Sequence, residues 1–172
     1  MADVVRHVVL IGEMGAGKTT IGQMLASEMG RPFQDSDRAI EAENQTSGAA
    51  IAAERGVADL HAIELQTCRA MLDAPVSSVL AVAASVIDTR AGRRLLSRHV
   101  VVVVRADDGV LKDRVAAGSH RRPTGATERY ELERRRSPLY GSIADFQVDN
   151  SSGSPRDIAR VLAAAIEARE SG

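Results

Sequence analysis

Val5-Arg6-His7-Val8-Val9-Leu10-Ile11-Gly12-Glu13-Met14-Gly15-Ala16-Gly17-Lys18-Thr19 joins an apolar, β-branched run to a glycine-rich turn closed by lysine and threonine. The run Val5–Ile11 predicts a buried strand, and the amphipathic stretch Thr19–Met29 predicts a helix. Gly12–Thr19 satisfies G-x-x-x-x-G-K-[ST] at every fixed position, and strand before and helix after are the context that gives that pattern meaning. A chance match is expected in roughly one chain per hundred or fewer. Glycines let successive backbone N–H groups converge on phosphate oxygens, and the helix start adds partial positive charge. Lys18 is expected to bridge the β- and γ-phosphates, with the Thr19 hydroxyl on magnesium. Gly12, Gly15, Ala16, Gly17, Lys18, Thr19 and Thr20 are thus expected to bind a nucleoside triphosphate, taken as ATP with Mg2+.

Outward from this loop, short β-branched runs alternate with helical stretches, which predicts an α/β fold with a mainly parallel, five-stranded sheet flanked by helices. Further strands are expected at Arg31–Gln34, Ser77–Ala83, His99–Val104 and Asp145–Val148. Helices are expected at Asp37–Asn44, Ser47–Arg55, Val57–Leu72 and Thr89–Ser97, then from Asp107 or Asp108 to Ala117. Another is expected at Thr127–Ile143, interrupted at Pro138, and a last at Pro155–Glu170 with Ser154 as its cap. Gly118–Thr127 has no apolar period and reads as a loop. No repeat or linker divides the 172 residues, so a single domain over 1–172 is expected.

Composition bounds the function. Net charge is −1, which gives no global field toward nucleic acid or anionic membranes. The two phenylalanines and two tyrosines offer few platforms for stacked bases. Cys68 is the only cysteine, which excludes an intrachain disulfide and suits a small buried hydrophobe. The amino terminus lacks the pattern of a secretory signal, and apolar runs such as Val100–Val104 are far short of the ~20 residues of a membrane helix. A cytoplasmic protein is expected. Arg93-Arg94 reads as a solvated helix face.

The chain resembles the shikimate kinases over nearly its whole length. Gly12, Gly15, Gly17, Lys18 and Thr19 match that family's phosphate loop. Phe33-Gln34-Asp35-Ser36-Asp37 with Ile40-Glu41 is similar to its strand ending in two spaced aspartates. Arg122-Pro123 looks like the arginine of its lid, here about 118–127, and Arg136-Ser137-Pro138-Leu139-Tyr140 like its arginine before Pro-Leu-Tyr. Val148-Asp149 and Pro155 match the end of its last strand and the start of its last helix. The resemblance implies a small-molecule kinase with a P-loop fold and a lid, moving the γ-phosphoryl of MgATP to a hydroxyl of shikimate or a related carboxylated polyol. Its implied partners are ATP and a small anionic polyol, without nucleic acid or membrane, in a monomer.

Carried over residue by residue, the resemblance makes Lys18, Asp37 and Arg122 catalytic. Asp37 would orient or deprotonate the acceptor hydroxyl, and Arg122 would stabilise charge on the transferring phosphoryl, with Arg121 its rival. Asp35 would hold the magnesium through water, with Thr19 as its ligand, and Pro155 would border the nucleotide. The acceptor would lie among Asp37, His61, Glu64, Ala84, Ser85 and Arg136, within a substrate-binding segment of about 37–64 and its neighbours. Each has a plainer reading: Asp35 and Asp37 as a helix cap, Arg136 as an exposed helix charge, Glu64 as a surface glutamate. Two departures bear on the acceptor. His61 stands where the family has an arginine, and Ala83-Ala84-Ser85 where it has three glycines. A neutral imidazole loses a bidentate carboxylate contact, and added Cβ atoms crowd a ligand, more so where φ is positive. Two other readings therefore stand beside the kinase: a nucleotide-binding or regulatory module that lost the activity, and a nucleoside or nucleotide kinase.

Overall fold

The computed structural model describes residues 5–116 and 125–171. Five parallel strands form one sheet: β1 Val8–Ile11, β2 Phe33–Asp35, β3 Val79–Ala81, β4 Val100–Arg105 and β5 Phe146–Asp149, in the order β2-β3-β1-β4-β5. The helices are α1 Lys18–Glu28, α2 Ser36–Asn44, α3 Gly48–Arg55, α4 Val57–Leu72, α5 Arg90–Leu96, α6 Asp108–Ala116, α7 Ala126–Ile143 and α8 Pro155–Glu170. β1 is central because its residues are apolar on both faces. Val8 and Leu10 pack with Ile21 and Leu25 of α1 and Ala159, Leu162 and Ile166 of α8. Val9 and Ile11 pack on the other face with Cys68 and Met71 of α4, Leu96 of α5 and Tyr140 of α7. Period-two alternation in a strand buried on both sides gives two cores, one per layer of helices. Burial pushes the Cys68 thiol up to about 12, so it is an inert hydrophobe as expected.

The order in which strands are added switches sides at β1, with β3 on one side and β4 on the other, both parallel to it. Ligands of open parallel sheets lie at such a switch point, beyond the carboxyl ends of the strands. The phosphate loop leaves β1 there. On the same rim, α2, α3 and the start of α4 share a small separate cluster of Ile40, Ile51 and Leu60. It positions the segment that faces the loop from beyond β2.

Several expectations need correction. Pro138 does not interrupt α7, which runs unbroken from Ala126 to Ile143. Pro138 and Arg134 are both exposed, so the Arg134 carbonyl that loses its helical N–H can turn to water instead. The loop expected to reach Thr127 ends sooner, since Ala126 and Thr127 are already helical. A 3-10 turn over Ala84–Asp88, read in the sequence as plain connection, follows β3. Arg93 is no solvated charge: its Nη1 donates to the Ile87 carbonyl at 2.7 Å and ties α5 to that turn. Residues 118–124 of the expected lid, with Arg121, Arg122 and Pro123, lie outside the described residues.

Candidate active site

Two glycines of the phosphate loop are dictated by what touches them. A Cβ on Gly12 would lie 2.1 Å from the Val104 carbonyl oxygen of the neighbouring strand. Gly17 caps α1 with a left-handed φ of 99°, and a Cβ there would meet Nδ2 of Asn150 at 2.2 Å. Asn150 is buried and donates to the Ala16 carbonyl at 2.9 Å. Arg114 of α6 donates to the Asn150 carbonyl at 3.0 Å and reaches the Gly15 and Ala16 carbonyls at 3.4 Å each. Bonds from β5's end and from α6 thus hold the loop that β1 and α1 form. The sequence reading missed both residues; the one signal for Asn150 is its place directly after Val148-Asp149.

Lys18 folds back across the loop, donating from Nζ to the Gly12 and Glu13 carbonyls at 2.8 and 3.2 Å. Thr20 is exposed in the first turn of α1, and Pro155 opens α8 behind its Ser154 cap. Thr19 and Asp35 meet directly, the Thr19 hydroxyl donating to Oδ2 at 2.6 Å, while Oδ1 accepts from the Asp37 backbone N–H at 3.0 Å. Asp35 therefore caps α2 and touches the loop at once. Two adjacent hard oxygen donors suit magnesium, which takes one or two protein oxygens and fills its shell with phosphate and water. An ion held there would neutralise charge on the phosphates.

Beside the loop lies a cavity of about 600 Å³ lined in part by Lys18, Asp37, His61, Glu64, Ala84, Ser85 and Arg136. Every described acceptor-side residue expected from the sequence thus opens on one space. Three elements bring them: α2 carries Asp37, α4 carries His61 and Glu64, and α7 carries Arg136. Ala83, Ala84 and Ser85 follow β3. Ala83 has φ −63°, and Gln45 is the sole non-glycine with positive φ among the described residues. Side chains at 83–85 therefore narrow the cavity without straining the backbone.

Glu64 and Arg136 are neither surface glutamate nor exposed helix charge. Ser85 donates its hydroxyl to the Glu64 carboxylate. Burial raises Glu64 to about 7, helped by the Asp37 charge and opposed by the Ser85 hydrogen bond and by Arg136 and Lys18. Arg136 is only 5% exposed. Its Nε and Nη2 form a fork on Asp88, to Oδ1 at 3.0 Å and Oδ2 at 2.8 Å, and its Nη1 donates to Glu13 Oε2 at 3.1 Å. Tyr140 donates to the other Glu13 oxygen at 2.9 Å. Burial would lower the Arg136 pKa, but the Asp88 bonds and the Glu13 charge raise it above its usual value. Burial likewise opposes ionisation of Asp88, yet Arg136 outweighs it and holds that carboxyl below its ordinary range. Neither Glu13 nor Asp88 was foreseen: Glu13 fills a variable place in the loop motif, and Asp88 lies 48 residues from its partner.

The family model described as shikimate kinase matches residues 14–167. The shikimate kinase of Frankia casuarinae is 35% identical over 169 residues, covering 96% of this chain and 75% of its own. That of Mycobacterium avium is 34% identical over 169 residues, with 94% of each chain covered. Among solved structures, shikimate kinase from Acinetobacter baumannii in complex with shikimate superposes with a TM-score of 0.88 at 27% identity, covering 97% of this chain and 96% of that one. A gluconokinase from Sinorhizobium meliloti shares the fold at a TM-score of 0.62 and 18% identity. With the family model matching residues 14–167 and relatives 34–35% identical over nearly the whole chain, the chain belongs to the shikimate kinase family of ATP- and Mg2+-dependent small-molecule kinases.

Proposed function

We propose that this kinase transfers the γ-phosphoryl of MgATP to a hydroxyl of shikimate or a related small carboxylated polyol, and that residues 1–172 form one domain working as a cytoplasmic monomer. The observation that carries this reading is that Lys18 of the phosphate loop and Asp37, Glu64 and Arg136 of the acceptor side line one cavity. The acceptor oxygen forms a bond to the γ-phosphorus in line with the departing bridge oxygen, ADP leaves, and the hydroxyl proton passes to Asp37. Lys18 leaves its loop carbonyls for the β- and γ-phosphates, with Gly12, Gly15, Ala16, Gly17 and Thr20 lining their seat and Pro155 bordering the nucleotide. Thr19 and Asp35 hold magnesium. His61, Glu64, Ala84, Ser85 and Arg136 bound the acceptor within a segment of about 37–64 and its neighbours. Arg122 is assigned to the lid.

A coupled assay of ADP release against shikimate, gluconate and related polyol acids tests the reading. One of them is expected to stimulate turnover, and Lys18→Ala to abolish it with the fold intact. Asp37→Asn is expected to lower kcat by about 100-fold or more with little change in ATP affinity. No stimulation by any acid, with ATP bound normally, would sink it. An unchanged kcat in the Asp37 variant would leave that residue a part of the helix start alone.

A further inference from the structure

We propose that Asp88 is a specificity-determining residue of the acceptor site: its carboxylate takes the place of an acceptor carboxylate on Arg136. This rests on the kinase reading above and broadens what the cavity accepts. An arginine offers five N–H donors and one positive charge. Asp88 takes the Nε and Nη2 edge, and Glu13 takes Nη1. The fork that planar guanidinium offers to carboxylates is thereby closed from within the protein.

Charge counting sharpens the point. Around Arg136 stand Asp88 and Glu13, and Arg135 adds a second guanidinium, donating to Asp88 Oδ2 at 3.1 Å. Two positive and two negative groups sum to zero. Without Asp88 the cluster would carry one positive charge, the complement of one acceptor carboxylate. With Asp88 present, an incoming carboxylate meets a balanced cluster, and of the other charged groups in the cavity Asp37 and Glu64 repel it while Lys18 is engaged by the nucleotide phosphates. Arg136 is buried while the Arg135 side chain is 60% exposed, so water screens Arg135 more than the inner pair. His61 lines the same cavity and is near enough to act on Asp88, but a histidine carries no permanent charge. The site therefore accepts uncharged hydroxylated rings alongside carboxylated ones and distinguishes them weakly.

The test compares shikimate with its methyl ester, which keeps the hydroxyls and lacks the charge. Calorimetry in the presence of ADP gives dissociation constants for the parent, Asp88→Asn and Asp88→Ser, and turnover is followed in parallel. The parent is expected to bind the two within about threefold of each other. Both variants are expected to tighten shikimate by about tenfold or more while leaving the ester within about threefold. A parent that already favours shikimate by about tenfold or more would overturn the proposal. So would variants that weaken shikimate, because Asp88 would then be positioning Arg136 for the acceptor, and so would a lack of binding by either ligand. Turnover without the shift would sink the role of Asp88 alone. The shift without turnover of either compound would sink the kinase reading and leave Asp88 as described.

Discussion

Thr19 and Asp35 stand 16 residues apart in the chain and meet side chain to side chain at 2.6 Å, joining the start of α1 to the start of α2. One carboxylate thus links the nucleotide loop to the helix that carries Asp37. Its two oxygens do different work, Oδ1 capping α2 and Oδ2 touching Thr19.

That division separates two variants. Asp35→Ala is expected to lose about 1 kcal/mol of stability with the cap and to need more magnesium for half-maximal turnover. Asp35→Asn keeps a capping oxygen, so its stability is expected near the parent's while its magnesium requirement still rises. Urea unfolding and magnesium titrations of the rate check both. If the asparagine variant titrated like the parent, Asp35 would be a cap and nothing more.

Asn150 is expected to matter more than its place after a strand suggests. Removing its amide in Asn150→Ala leaves the Ala16 carbonyl without its 2.9 Å donor in a buried setting. A loss of about 1–3 kcal/mol in stability is expected, with weaker ATP binding because the loop is less firmly held. Nucleotide titration and urea unfolding read both effects. Full stability with parent-like ATP affinity would show that Arg114 alone suffices to hold the loop.

The parallel sheet and its flanking helices were legible because their signals are local. Runs such as Val8–Ile11 and Val100–Val104 are apolar on both faces, Ser154 and Pro155 mark a helix start, and the phosphate loop is a contiguous motif. Pro138 misled because the expectation ignored which face of α7 it occupies; on the exposed face a proline costs one solvated bond and leaves the helix whole. Asp88 and Glu13 were illegible for another reason. Their partner Arg136 is 48 and 123 residues away, and no spacing rule reports a pairing made by the fold. The 3-10 turn that places Asp88 has no strong propensity signal in Ala84-Ser85-Val86-Ile87, and it was missed with it.

Glu64 gives stability a pH dependence of known sign. Its carboxyl is raised by burial from 4.5 to about 7. Between those values the native state keeps a proton that the unfolded chain has released, so this contribution is full below about pH 4.5 and is lost as pH rises through 7. The loss is on the order of 3 kcal/mol by pH 8. Glu64→Gln cannot titrate, and its stability relative to the parent is expected to improve between pH 5 and pH 8. Parallel urea unfolding curves for both proteins at the two pH values provide the comparison, and an identical pH slope would mean that Glu64 is solvated and ordinary.

The departures at His61 and at Ala83-Ala84-Ser85 make the acceptor side testable as a unit. His61→Arg supplies a further permanent positive charge in the cavity, beside Lys18, Arg135 and Arg136, and an unoccupied fork for an acceptor carboxylate. A gain of about 1–3 kcal/mol for shikimate is expected if the ring can enter. Replacing residues 83–85 by glycine removes three Cβ atoms from the same wall. Because Ala83 already sits at φ −63°, the benefit is space rather than relief of strain. The exchange also deletes the Ser85 hydroxyl that donates to Glu64, so the Glu64 carboxyl is expected to rise further. Each set alone helps little, since an arginine is idle when the ring is excluded and an open wall is idle without charge. Together they share one ligand, and their effects on kcat/KM are expected to exceed the sum of the separate ones. The measurement is kcat/KM for shikimate in the parent, the two partial variants and the combination, with ATP affinity as control. A parent already efficient on shikimate would show that the cavity tolerates both departures. A combined variant inert on shikimate while binding ATP normally would mean that the cavity takes an acceptor other than shikimate.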